Sequence, residues 1–219
     1  MTPTLSPAAV RILGALVEKD LTTPEYYPLT LNALVTACNQ KTNRDPVMTL
    51  TAEEVVEGLE ELRREQLIYT SAEGVRTTRY CHHLDGLLHL EREELAVLAL
   101  LLLRGAQTVG ELRTRCERMV SFPDLQAVES ALDNLTRHQP QLVIRLPRQP
   151  GHKENRYIDL LRVQESCAEA PAEADSSANF PAIATTADRI ARLEQEVTLL
   201  REEVAALAES LEEFRTQFE

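Results

Sequence analysis

The sequence predicts a mainly α chain with small β-hairpins, an α+β class in which one small module occurs twice ahead of a heptad-patterned helix. Three observations carry this. First, Leu90–Arg104 lies on Leu5–Lys19 when shifted by 85 positions: Val10 falls on Leu95, Ile12 on Val97, Leu13 on Leu98, Leu16 on Leu101, Val17 on Leu102 and Lys19 on Arg104. Second, the match continues at shorter offsets. Thr30, Leu31, Leu34 and Cys38 fall on Thr108, Val109, Leu112 and Cys116 at 78; Val55, Leu59 and Leu62 fall on Val128, Leu132 and Leu135 at 73. Two copies of this length are too few for a solenoid and read as a duplicated domain. Third, apolar residues alternate at spacings of 3 and 4 from Ile190 to Phe218.

Each element has a local cause. Ser6-Pro7 opens the first helix, with Ser as N-cap and Pro at the first helical position. Val10, Leu13 and Val17 keep one face apolar. Pro24 and Pro28 interrupt it, and a second helix spans about Thr30 to Ala37. The polar stretch Asn39–Pro46 follows. Thr51 and Glu54 form a capping box for a third helix, and Gln66–Thr70 with Val75–Tyr80 have strand composition around Ser71–Gly74. The second copy repeats the order. Glu91–Arg104 is helix one, Thr108 and Glu111 cap helix two to about Met119, and Asp124 caps helix three to about His138. Leu142–Leu146 and Arg156–Leu160 then form the ribbon. The first copy carries about seven extra residues before its second helix and about five after it, as the changing offset requires. Three helices and a ribbon are the order of a winged helix-turn-helix, so the chain divides into winged-helix domains at 1–84 and 85–165.

Residues 166–185 are small, acidic and contain Pro, the composition of a flexible linker. Residues 186–219 carry the heptads. Ile190, Val197, Val204, Leu211 and Phe218 occupy one seam position, and Leu193, Leu200, Leu207 and Phe214 the other. Ile and Val at the first with Leu at the second favour two parallel strands. That register sets Arg189 beside Glu194 of a second copy and Glu196 beside its Arg201. The expectation is a homodimer through this coiled coil.

The formal net charge is -12. Residues 166–219 hold 4 basic and 12 acidic side chains, leaving -4 on the body, a balance that neither demands nor excludes nucleic acid. Cys38, Cys81, Cys116 and Cys167 include no CxxC pair, which fits a reducing cytoplasm. There is no run of 18 apolar residues and no signal-peptide pattern, so neither membrane insertion nor export is expected.

The stretches Leu34–Val47 and Leu101–Arg113 resemble the YceH family of bacterial proteins, over roughly residues 5–162. The resemblance implies a tandem winged-helix body and a cytoplasmic bacterial protein. It brings no catalytic activity with it.

Function divides into two classes. A winged helix suggests DNA binding with helix three in the major groove. Here, however, the first copy carries Glu53, Glu54, Glu57, Glu60, Glu61 and Glu65 against Arg63 and Arg64, which phosphates repel. The second has Asp124, Glu129 and Asp133 against Arg137. Cations collect on the ribbons instead: Arg145, Arg148, Lys153 and Arg156 on the second, Arg76 and Arg79 on the first. The Asn39–Pro46 loop adds Lys41 and Arg44 as phosphate ligands, with Asn39, Gln40 and Asn43 free to hydrogen-bond a partner or to stabilise the turn. The first class is a dimeric DNA-binding regulator using wings and loop; the second is a protein–protein adaptor without DNA binding. No catalytic, metal or cofactor motif occurs. Cys81-His82-His83 reads as a strand end, and Cys38 and Cys116 as core.

Overall fold

A computed structural model describes residues 4–71, 77–148 and 154–162, all within one compact unit, Met1–Ala172. Arg76, Lys153, the expected linker at 166–185 and the heptad residues Ile190, Leu193, Val197, Leu200, Val204, Leu207, Leu211 and Phe214 lie outside the described residues. The first half runs α1 (Pro7–Thr22), a 3-10 turn (Pro24–Tyr26), β1 (Leu29–Thr30), α2 (Leu31–Cys38), α3 (Ala52–Arg64), β2 (Ile68–Ser71) and β3 (Arg79–His82). A short helix α4 (Leu84–Leu88) joins it to α5 (Arg92–Arg104), β4 (Gln107–Thr108), α6 (Val109–Cys116), α7 (Leu125–Arg137), β5 (Val143–Arg145) and β6 (Arg156–Asp159). This is a mixed helix-and-sheet fold with small antiparallel sheets. The two sheets have the same strand order, β1-β3-β2 and β4-β6-β5.

Helix starts obey the sequence. Ser6 Oγ caps Ala9, Thr51 and Glu54 close a capping box, Thr108 and Glu111 close another, and Asp124 caps Ala127. The offset changes also have physical locations. Helix α1 outlasts the point equivalent to the end of α5 by Asp20, Leu21 and Thr22, and the 3-10 turn lengthens the connection to α2. The loop before α3 is the second insertion.

Three expectations need correction. The first ribbon begins later than the composition suggests: Gln66 adopts φ 58°, so β2 opens at Ile68, and β3 opens at Arg79 rather than Val75. Each sheet gains a third strand, β1 or β4, of two residues, too short for alternation to reveal. And α1 is not a helix with one apolar face. Residues 9 to 18 are all buried, Arg11 and Glu18 included.

The reason is that α1 packs chiefly on α5, itself buried from Glu94 to Leu103. The buried side chains of both halves therefore form one continuous cluster. Gly14 sits at this crossing. A Cβ there would lie 2.9 Å from Leu103 Cγ and 3.0 Å from Leu102 Cβ, so the helices approach closely because Gly14 has none. Backbone bonds also join the halves. Leu5 N–H donates to Leu161 O at 2.7 Å, and Asp45 N–H donates to Leu103 O at 3.0 Å.

Candidate binding surface

Helix three of each half presents a face to solvent, and both faces are acidic. On α3, Glu53, Glu57 and Glu60 are exposed. Glu61 turns inward, where its carboxylate accepts from Ser6 N–H at 2.8 Å and Ser6 Oγ–H at 2.5 Å. Asn134 does the equivalent work on α7, 73 residues on. Its amide donates to Glu94 Oε1 at 2.9 Å, while Glu94 closes the capping box with Glu91. Third helices thus hold the starts of first helices in both halves. The rest of the α7 outer face consists of Leu125, Gln126, Glu129, Ser130, Asp133 and Arg137.

In the second half a groove of about 520 Å³ runs between α7, the start of α6 and the ribbon. Val109 and Gly110 form one side, Leu125, Glu129 and Asp133 another, and Arg145, Glu154, Asn155 and Tyr157 the third. The β4–β6 register creates it by pairing Gln107 with Tyr157 and Thr108 with Arg156. The first half has the matching pairs Leu29–Tyr80 and Thr30–Arg79. An Arg-Tyr dipeptide therefore recurs 77 residues apart, at 79–80 and 156–157. That signal locates the third strand in the sequence once its meaning is known.

The ribbon cations are placed as follows. Arg145 and Arg148 are exposed and Arg156 half-buried. The Asn155 amide oxygen accepts from the Arg145 guanidinium. Glu111 is held below the ordinary carboxylate value: partial burial opposes this, but the Thr108 amide, Arg115 and Arg156 outweigh it. Arg156 is thus partly neutralised by Glu111. On the first ribbon Arg79 is half-buried and donates to Pro28 O at 2.8 Å.

The Asn39–Pro46 loop differs most from its expected role, and Arg44 is the correction. It is buried, its side chain wholly inaccessible, and it pairs with equally inaccessible Glu18 of α1 at 2.5 Å. It also donates to Ala37 O at 2.9 Å and Gln40 Oε1 at 3.1 Å. A side chain so enclosed does not reach a phosphate. Glu18 receives a second cation, Arg118, from just beyond α6 of the other half. Arg11, also buried, donates to Cys38 O at 3.2 Å and Pro46 O at 2.6 Å. Burial pulls the Arg44 guanidinium down to about 10, still charged at neutral pH. Asn39 exchanges two hydrogen bonds with Leu50, at 2.7 and 2.8 Å. Asn43 takes φ 58°, a left-handed turn that Asn tolerates. Asn39, Gln40 and Arg44 therefore have structural partners, while Lys41 remains exposed.

Elsewhere, Cys38 and Cys116 are buried free thiols, pushed up to about 12 chiefly by burial. Among the described residues no group of His, Cys, Asp or Glu is placed to hold a metal ion, and no helix is long and apolar enough to cross a membrane. Tyr27, in the first insertion, packs inward and its hydroxyl accepts from His82 N–H at 2.6 Å.

Residues 5–152 match the family described as "Protein of unknown function, DUF480". The chain belongs to the DUF480 family. Similar proteins span the whole length: a UPF0502 protein of Geotalea daltonii is 53% identical over 219 residues, covering 100% of both chains. One from Geobacter metallireducens is 55% identical over 225 residues with the same coverage. One from Herminiimonas arsenicoxydans is 47% identical over 213 residues, covering 97% of this chain and 90% of its own. The family expected from Leu34–Val47 and Leu101–Arg113 is borne out as DUF480/UPF0502. The DUF480 match ends within the second ribbon, whereas these relatives extend through the heptad region.

Proposed function

We propose that this DUF480 chain is a non-enzymatic protein–protein adaptor built from two winged-helix modules fused through their first helices. The repeated order of helix, strand, two helices and two strands supports the winged-helix reading. One observation carries the adaptor reading: both third helices, the elements that would read a major groove, turn carboxylates outward. Glu53, Glu57 and Glu60 do so on α3, and Glu129 and Asp133 on α7. Phosphates spaced ~1.7 Å apart along a duplex axis repel such faces, whereas a basic protein surface complements them. The heptads of residues 186–219 support a parallel homodimer, which doubles every docking face. Scattered cysteines support a cytoplasmic setting.

The test is capture by the full chain with mass spectrometry. The adaptor reading requires a partner retained by the chain and lost when Glu53, Glu57, Glu129 and Asp133 are reversed to Lys. A capture profile indifferent to those reversals refutes it. A second reading, duplex DNA held by the second wing, is favoured by the exposure of Arg145 and Arg148 beside Arg156, with Lys153 close by in the sequence. On that reading Arg145→Glu, Arg148→Glu and Arg156→Glu together abolish a salt-sensitive retention of DNA.

A further inference from the structure

We infer that the groove between α7 and the second ribbon is a docking site for a basic segment of another protein, one bearing Lys or Arg on either side of a bulky aliphatic residue. This inference rests on the adaptor reading and gives it a place. The groove is lined by apolar Val109 and Leu125, by Tyr157, and by acidic Glu129, Asp133 and Glu154. Leu125 is 46% exposed although it opens a helix whose other large apolar residues are buried. It stands with Val109 and Tyr157 around the space left by Gly110. A Cβ on Gly110 would meet only Glu154 Oε2, at 4.0 Å, so that corner of the groove is open.

Charge decides the occupant. Glu129, Asp133 and Glu154 line the groove against Arg145 alone, and Arg145 is turned to Asn155. Among the described residues Glu129 and Glu154 have no ion-pair partner; Asp133 has only exposed Arg137, at 3.6 Å. Glu129 and Asp133 are four residues apart and share a helix face, so two cations of a bound segment can meet them while Glu154 takes a third from the ribbon side. A second copy of this chain is a poor occupant, because its net charge is -12 and residues 166–219 alone carry -8. Duplex DNA is excluded by the same carboxylates.

The test uses the full chain and a fluorescein-labelled synthetic peptide of alternating Arg and Leu, read by anisotropy. Variant Glu129→Lys/Asp133→Lys is compared with Glu25→Lys/Glu117→Lys, exposed positions outside both third helices that change net charge equally. The groove variant should weaken binding roughly tenfold or more and the control variant less than about twofold. Leu125→Asp makes the chain more acidic yet removes the aliphatic seat, so it should weaken binding too. All five positions are exposed, and an unchanged thermal midpoint verifies folding. Equal losses from both double variants, or tighter binding by Leu125→Asp, overturn the groove while leaving the adaptor reading standing. Peptide that is not bound at all, beside duplex DNA that is, overturns both.

Discussion

Glu18→Gln should destabilise this protein more than any surface change, because among the described residues Glu18 is the one anion facing two cations from opposite halves. Its carboxylate accepts from Arg44 Nη1 at 3.0 Å and Nη2 at 2.5 Å, and also from Arg118. Glutamine keeps the shape but removes the charge. Arg44, held near 10, stays cationic at neutral pH, so the variant leaves a guanidinium enclosed without a counter-charge. Removing one partner of a buried pair costs about 3–5 kcal/mol. Arg118 adds little to that, since its side chain is 37% exposed and water can replace the lost contact. Against a total of roughly 5–15 kcal/mol for a domain, the loss is a large share. With a urea slope of about 2 kcal/mol/M, the unfolding midpoint should fall by roughly 1.5–2.5 M. Replacing the pair together, Glu18→Leu with Arg44→Met, should recover most of the loss, because two apolar side chains need no counter-charge. A Glu18→Gln midpoint within about 0.5 M of the parent, or a double variant no better than the single, would mean that Arg44 tolerates the loss of its counter-charge.

Gly14→Val should cost about 1–3 kcal/mol by forcing α1 and α5 apart, whereas Gly110→Ala, into open space, should gain up to about 1 kcal/mol from helix propensity; thermal unfolding of the pair checks the contrast. Cys38 and Cys116 have ordinary thiol values of 9.0 and folded values of about 12. Above 9 the unfolded chain therefore binds fewer protons, and stability present below 9 is lost as pH rises toward 12, by about 1.4 kcal/mol per unit for each thiol; Cys38→Ala/Cys116→Ala should flatten that slope in urea titrations. Cys81, half-buried, should react with a thiol reagent in the folded chain while Cys38 and Cys116 react only on unfolding; equal rates would place the buried pair wrongly. Leu200→Lys/Leu207→Lys should convert the full chain from dimer to monomer in sedimentation, the seam being intolerant of charge.

How much of this was legible depends on the range of the causes. The starts of α1, α3, α6 and α7 were readable because a cap and the backbone N–H that donates to it lie within three residues. The burial of α5 was readable because Leu95–Leu103 is apolar all round. That of α1 was hidden by Arg11 and Glu18, which look like a solvated face until their partners are known. Arg44 misled for the same reason. In a polar loop an arginine reads as a surface cation, and only a carboxylate 26 residues away shows otherwise. The acidity of the third helices was visible in composition. The groove was not, since Gly110, Leu125, Glu154 and Tyr157 meet only through the β4–β6 register, and each of those strands is four residues or fewer.

If the outward third helices serve proteins, the full chain does not hold duplex DNA. Titration of the full chain with fluorescent random-sequence duplex, as salt is lowered toward ~50 mM, tests it most directly. No duplex should be retained at low salt, and none gained by restoring salt. Tight binding that weakens steeply with salt would contradict it, and loss of that binding on reversing Arg145, Arg148 and Arg156 would assign the DNA to the second wing instead.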